Sequence, residues 1–227
     1  MIDIGIIGAM EVEVNDLVSR LENGKCETVS GIDFHTGKML GKEVAIAKCG
    51  IGKVFAAMAA EVMILKYAPK LLVNTGVGGA LAHGLRRGDI VVAEKLCQHD
   101  MDTSPIGDPV GLLSGINIVN IKTDEKLLQA LITATKQIGI EPVVGTVASG
   151  DQFIATDAQK QRIRTLFNAA ACEMEGASIG HVAYVNNLPF AVLRAISDGG
   201  DGMEFSKFVD LAAARSVTAT KEFVQLI

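Results

Sequence analysis

The chain has 227 residues, of which 49% are hydrophobic, 21% charged and 4% aromatic, with no Trp and a formal net charge of −5. An apolar chain of this length buries a sizeable core, which excludes a disordered polymer, and with no Lys/Arg run beyond Arg86-Arg87 it has no basic footprint for nucleic acid. No charge-free stretch of 18 apolar residues points to a membrane span, Asp3 stands where a signal peptide would be basic, and a cytoplasmic location is expected.

In chain order, Ile2 to Ile7 reads as a strand ending at Gly8. Val14, Leu17, Val18 and Leu21 fall at i, i+3, i+4 and i+7, the buried stripe of a helix. Phe34–Met39 and Val44–Lys48 read as a hairpin around Leu40-Gly41-Lys42. A helix over Val54–Lys66 stops before Pro69, and strands follow at Leu71–Thr75 and Asp89–Lys95. Asp124–Gln137 is a helix with acids in its first turn and Gly139 just past its end. The remainder alternates: strand Pro142–Ala148, helix Asp157–Leu166, strand Ala169–Glu173, helix Ala177–Val185, strand Phe190–Ile196 and a long helix from Phe205. This pattern predicts a single α/β domain over residues 1–227, with a mixed, mostly parallel central twisted sheet flanked by helices. The irregular stretch His99–Asn117, with Pro105 and Pro109, is too long for an ordinary connection and reads as a functional or interface loop.

The glycine clusters do not fit a dinucleotide fingerprint. Gly50-Ile51-Gly52 would need glycine at 55, where Phe55 stands; Gly76-Val77-Gly78 would need it at 81, where Leu81 stands. A phosphate loop fails as well, because Gly31 to Gly37 is one residue too long and Lys38 precedes Met39. Each cluster instead follows a strand, where it serves either a tight turn or close approach of a ligand to the backbone. Acids share that placement: Glu11 and Glu13, Asp151, Glu173 and Glu175, and Asp198 before Gly199-Gly200. Each alone suits a helix N-terminus; gathered at one sheet edge they suit acid–base chemistry. The cysteines Cys26, Cys49, Cys97 and Cys172 are scattered, with no zinc spacing, and read as reduced, buried structural thiols. His181 reads as a packed helical side chain; His99, beside Asp100 and Asp102, reads as a loop hydrogen bond or a metal ligand.

Several blocks together carry a resemblance. Gly5-Ile6-Ile7-Gly8-Ala9-Met10-Glu11-Val12-Glu13-Val14, Cys49-Gly50-Ile51-Gly52-Lys53-Val54, Asn74-Thr75-Gly76, Gly88-Asp89-Ile90-Val91-Val92, Ser149-Gly150-Asp151-Gln152-Phe153-Ile154, Glu173-Met174-Glu175 and Arg194-Ala195-Ile196-Ser197-Asp198 resemble, in order, the 5′-methylthioadenosine/S-adenosylhomocysteine nucleosidases. That family has a nucleoside phosphorylase-like α/β fold, forms homodimers, and hydrolyses the N-glycosidic bond of 5′-thio-substituted adenosines without metal or organic cofactor.

The resemblance implies that Asp198, helped by Ser197, protonates adenine N7, that Glu13 is the base for the attacking water, and that Glu175 holds the ribose hydroxyls. It also implies that Met174 lies on the sugar face, Arg194 braces the site, Phe153 stacks on adenine and Ile154 reads its edge through the backbone. Met10, Ile51 and Phe208 would line the apolar 5′ pocket, and Gly79 would sit against the substrate. Substrates implied are 5′-methylthioadenosine, S-adenosylhomocysteine and 5′-deoxyadenosine; partners are these nucleosides and a second copy of the chain, with loop 102–115 near the neighbouring subunit. Phosphorylases on this fold carry an arginine-bearing segment near the N-terminus, whereas this chain has Ala9-Met10-Glu11-Val12-Glu13, which repels phosphate and suits water activation. The alternatives are a relative acting on another nucleoside, such as a futalosine-type hydrolase or a phosphorylase, and a catalytically silent nucleoside binder. Two departures stand out: Val77 where the family commonly has Ser or a small residue, and Ile106 where many relatives place an aromatic that reaches the neighbouring 5′ pocket.

Overall fold

The computed structural model describes residues 1–199 and 202–227, with Glu204 described by its backbone only. Gly200, singled out above after Asp198, therefore lies outside the described residues, as does Asp201. The elements are β1 (Ile4–Gly8), α1 (Glu11–Ser19), β2 (Glu22–Val29), β3 (Ile32–Met39), β4 (Lys42–Lys48), α2 (Lys53–Val62), a π-helical turn (Met63–Tyr67), β5 (Leu71–Asn74), β6 (Val77–Ala80), β7 (Ile90–Gln98), β8 (Ile121–Lys122), α3 (Glu125–Gln137), β9 (Val143–Ser149), α4 (Asp157–Phe167), β10 (Ala169–Glu173), α5 (Gly176–Val185), β11 (Phe190–Asp198) and α6 (Gly202–Leu226).

All strands belong to one mixed sheet in the order β2-β3-β4-β1-β5-β11-β6-β10-β9-β7-β8. The long strand β11, buried along its whole length, makes the join. Its first residues pair in parallel with β5, and its later ones with β6 in parallel and β7 antiparallel. Because β11 touches both β6 and β7, the second half of the sheet curls into a closed ring, β11-β6-β10-β9-β7. The expected twisted sheet is thus open on its β2 side and closed around β11.

Strand alternation sets the layers. Ile4 and Ile6 of β1 face one apolar cluster with Leu17 of α1, Leu131 of α3 and Phe223 of α6; Ile7 faces another with Ala56 of α2 and Ile179 of α5. That period of two is what a strand buried on both faces produces. A smaller cluster places Ile163 and Phe167 of α4 against Cys97, Ala148 and Cys172. Each fully buried Leu, Ile or Phe in these layers contributes about 1.5–3 kcal/mol of transfer free energy.

Local signals explain most boundaries. The Asp124 carboxylate caps α3 by accepting the Lys126 and Leu127 N–H groups. Thr156 and Gln159 form a reciprocal capping box at the start of α4. Leu40 and Gly41, at φ +53° and +79°, make the two-residue hairpin turn between β3 and β4. The expected helix to Lys66 is α-helical only to Val62 and then widens into the π turn, which Ala68 ends in the left-handed region ahead of Pro69. Three strands were not anticipated: β2, β6 and the two-residue β8.

Candidate active site

The site lies beyond the carboxyl ends of β1, β9, β10 and β11, where an α/β sheet leaves room for a ligand. Glu13 opens it. It sits at the third position of α1, and its side chain folds back over the helix start. Oε2 accepts the N–H groups of Ala9 at 2.7 Å and Met10 at 2.9 Å, and Oε1 accepts the Val77 N–H at 2.9 Å. The helix N-terminus supplies a favourable field for that carboxylate. Gly76 is required beside it: a Cβ there would stand 2.5 Å from Glu13 Oε1. Glu13 is buried, and burial pushes its carboxyl above the ordinary value, against the pull of Arg194 and the three N–H groups.

A second acid group comes from the end of β10. Residues 173 and 175, two apart, both turn inward and are buried. Glu173 pairs with the Arg194 guanidinium and accepts a hydrogen bond from the Ser149 hydroxyl. It also accepts the N–H groups of Glu175 at 3.0 Å and Gly176 at 2.7 Å. Burial pushes the Glu173 carboxyl up, but Arg194, Ser149 and those N–H groups outweigh it and hold it below the usual range. Glu175 accepts one backbone N–H, from Gly52 at 2.9 Å. Burial, then the neighbouring Glu173 charge, push it up to about 8, with Arg194 opposing.

Arg194 is the hub behind these acids. It is 1% exposed, bonds Asn74 Oδ1 and the Leu193 carbonyl as well as Glu173, and leaves its Nε without a partner. Asp198 closes β11 on the far side; the Ser197 hydroxyl donates to its Oδ2 at 2.7 Å.

These groups converge on one cavity of about 180 Å³. Glu13, Glu173, Glu175, Ser197 and Asp198 are its polar wall, and Met10, Ile51, Phe153, Ile154, Met174 and Phe205 its apolar wall, with Gly79 between. Phe153 meets Phe205 edge-on, ring centres 5.8 Å apart. Two residues carried over from the family, Arg194 and Phe208, lie off the wall in this structure. Arg194 stands behind it, committed to Glu173 and Asn74. Phe208 is one helical turn beyond Phe205, its ring 4.4 Å from the Arg87 guanidinium, so Phe205 is the α6 aromatic on the cavity. Glu173, Gln152 and Cys172, none given a role from sequence, do line it. The Cys172 thiol is pushed up to about 12 by burial and by Asp198 and Glu173 nearby.

The remaining motifs resolve plainly. His99 is buried against the strand end at Gly150, not placed on the cavity. Among the described residues no cluster of three or more His, Cys, Asp or Glu is arranged to hold a metal ion. All four cysteines are free; Cys49, Cys97 and Cys172 are buried as expected, but Cys26 is exposed, because it lies on the exposed strand β2.

Comparison with known proteins decides the family. A model described as the phosphorylase superfamily matches residues 3–225. The 5′-methylthioadenosine/S-adenosylhomocysteine nucleosidase of Neisseria meningitidis, solved with methylthio-immucillin-A, is 31% identical with a TM-score of 0.96, all of both chains being covered. The chain belongs to the phosphorylase superfamily, in the 5′-methylthioadenosine/S-adenosylhomocysteine nucleosidase family. The family enzyme of Colwellia psychrerythraea, solved with adenine, is 33% identical, TM-score 0.93, with 98% of this chain and 94% of that one covered. A futalosine hydrolase of Helicobacter pylori is as similar, at 32% identity and TM-score 0.95, covering 100% and 98%. Family membership makes the protein a nucleosidase. Val77, one of the two departures, meets Glu13 through its backbone N–H, a contact that does not depend on its side chain.

Proposed function

We propose that the protein hydrolyses the N-glycosidic bond of 5′-methylthioadenosine and S-adenosylhomocysteine, and of 5′-deoxyadenosine, releasing adenine. The observation that carries this reading is that two buried acids on different elements, Glu13 on α1 and Asp198 on β11, face one small, largely apolar cavity. Glycosidic cleavage passes through an oxocarbenium-like transition state, and inversion needs an acid at the leaving group and a base at water on the other face. Asp198, oriented by Ser197, donates the proton to adenine N7 as the C1′–N9 bond breaks. Glu13 orients the water and takes its proton as oxygen bonds to C1′. A carboxylate made more basic by burial suits that task. Glu175 holds the ribose hydroxyls, Met174 covers the sugar, and Phe153 and Ile154 hold the base.

The rest of the assignment follows. Val54, Phe55 and Met58 of α2 and Ile106 of the 102–115 loop are exposed apolar side chains, and Ile51 lines the cavity while 56% exposed. An apolar face continuous with the 5′ end of a cavity suits a second copy of the chain, so we assign a homodimer. Among the described residues no helix is long and apolar enough to cross a membrane; the work assigned is cytoplasmic, in methionine salvage and S-adenosylhomocysteine disposal. A futalosine-type activity is the second reading, favoured by the equal similarity to the futalosine hydrolase. Adenine release from 5′-methylthioadenosine in phosphate-free buffer, with futalosine and inosine in parallel, separates these. Rapid release from the first substrate supports the proposal; release of base only from futalosine, or only with phosphate, overturns it.

A further inference from the structure

The acid–base reading leaves out an ion pair just behind the cavity rim. Lys53 Nζ lies 2.7 Å from Asp100 Oδ1 and 3.2 Å from Gln98 Oε1. The Lys53 and Asp100 side chains are only 20% and 16% exposed. The second Asp100 oxygen accepts the Asp151 N–H at 2.8 Å, and Asp151 Oδ1 accepts the Lys53 N–H at 2.7 Å. The three residues close a ring. The Lys53 main chain meets the Asp151 carboxylate, the Asp151 main chain meets the Asp100 carboxylate, and that carboxylate meets the Lys53 ammonium.

Each member stands at the end of a different element: Lys53 begins α2, Asp100 lies two residues past β7, and Asp151 two past β9. Each adjoins a part of the site. Ile51, on the cavity, is two residues before Lys53, and the intervening Gly52 N–H holds Glu175. Gln152, Phe153 and Ile154 follow Asp151 directly onto the wall. Asp100 leads into the 102–115 loop. Gly52, at φ +102°, lets this closure happen, since a Cβ there would come 3.0 Å from Asp151 Oδ1. The Ser178 hydroxyl pins the Lys53 carbonyl from α5 at 2.7 Å.

An exposed pair of this kind would be worth little, but this one is largely shielded from water and tied to backbone at two of its three joints. By contrast, Glu13 is held by Ala9, Met10 and Val77, and Asp198 by Ser197. None of the three N–H groups that hold Glu13 lies in a segment that the ring joins.

We propose that Lys53, Asp100 and Asp151 are positioning residues that hold the base-stacking wall and the Ile51 wall of the cavity in register, and so act on substrate binding more than on the acid–base step. This rests on the nucleosidase reading of the site. Loss of the ring removes the preorganisation of the two walls that grip the substrate, which weakens binding while the acids keep their places.

The test compares Lys53→Met, Asp100→Asn, their double variant and Lys53→Arg with the natural chain, in KM and kcat for adenine release from 5′-methylthioadenosine. The expected result is a KM raised about 10-fold or more in Lys53→Met and Asp100→Asn with kcat within about threefold. The double variant is no worse than the poorer single one, because both break the same ring, and Lys53→Arg recovers most of the KM. An unchanged KM, or a lower kcat with KM unmoved and a lower Tm, shows a brace for folding alone and overturns the proposal. If Lys53→Met does not fold, the nearly isosteric Asp100→Asn decides. Absence of adenine release by the natural chain is a failure of the functional reading instead. The ring is then judged by calorimetric binding of adenine, whose Kd rises about 10-fold in Lys53→Met or, if it stays the same, refutes the ring.

Discussion

Glu13 and the Glu173–Glu175 pair are buried acids on one cavity, and they differ in that only Glu173 adds a direct ion pair to its backbone N–H partners. Glu13 rests on backbone: three N–H groups from the α1 start and the β6 start grip both of its oxygens. Glu173 is held by two side chains, Arg194 and Ser149, together with the N–H groups of Glu175 and Gly176, and Glu175 has a single N–H from Gly52. One guanidinium stands among three carboxyls, and it is in direct contact with Glu173 only. Glu173 is therefore the settled anion, while Glu13 and Glu175 are pushed up by burial. Backbone-held geometry survives changes of neighbouring side chains; geometry held by an ion pair does not.

The sharpest break is Glu13→Gln, which keeps the shape and removes the base. It is expected to lower kcat/KM about 10²–10⁴-fold and, because its NH2 cannot accept the N–H groups that one carboxylate oxygen accepts, to cost about 1–3 kcal/mol of stability, measured by adenine release and thermal unfolding. Next is Glu173→Gln. It removes the one carboxylate in direct contact with the buried Arg194 guanidinium, with an expected stability loss of up to about 3–5 kcal/mol in urea unfolding. It also removes the charge that raises Glu175, so the Glu175 titration, followed by carbon NMR of its carboxyl, moves down from about 8. Gly76→Ala attacks the backbone-held acid from behind. Its methyl would overlap Glu13 Oε1, so kcat is expected to fall up to about 10²-fold while the Glu173 network and the Glu175 titration stay put.

The smallest effect concerns pH. Glu175 holds its proton in the folded state up to about 8, whereas the unfolded chain releases it near the ordinary glutamate value of 4.5. Between those values the folded state binds more protons, so stability contributed by this group is full below about 4.5 and is lost as pH rises through about 8. Tm is expected to decline over that window, and Glu175→Gln to flatten the decline; a Tm–pH slope unchanged by the substitution would contradict the assignment.

Much of this was legible in the sequence, where a short-range signal existed. Asp124 and Gly139 bracket α3 because caps are local. Glu13, Glu175 and Asp198 were marked by their strand-end positions and by family resemblance, and all three reach the cavity. β2 escaped because Glu22–Val29 is polar and exposed nearly throughout; its strand character comes from pairing with β3, not from alternation. β6 escaped because Val77-Gly78-Gly79-Ala80 reads as a glycine turn, and only the closing ring around β11 draws it into the sheet. The Lys53–Asp100–Asp151 ring joins positions 47 to 98 apart in sequence, a closure no local pattern announces. Phe205 and Phe208 are both aromatic on one helix; Phe205 lines the cavity here and Phe208 lies against Arg87, a difference of one turn that sequence spacing does not resolve.

The division of labour between Glu13 and Asp198 is tested most directly by cleaving 5′-methylthioadenosine in ¹⁸O-enriched water without phosphate, using the natural chain, Glu13→Gln and Asp198→Asn. The natural chain is expected to release adenine and place one ¹⁸O on the anomeric carbon of the methylthioribose, with both variants nearly silent. Unlabelled sugar, cleavage that needs phosphate, or near-natural turnover in either variant would contradict it.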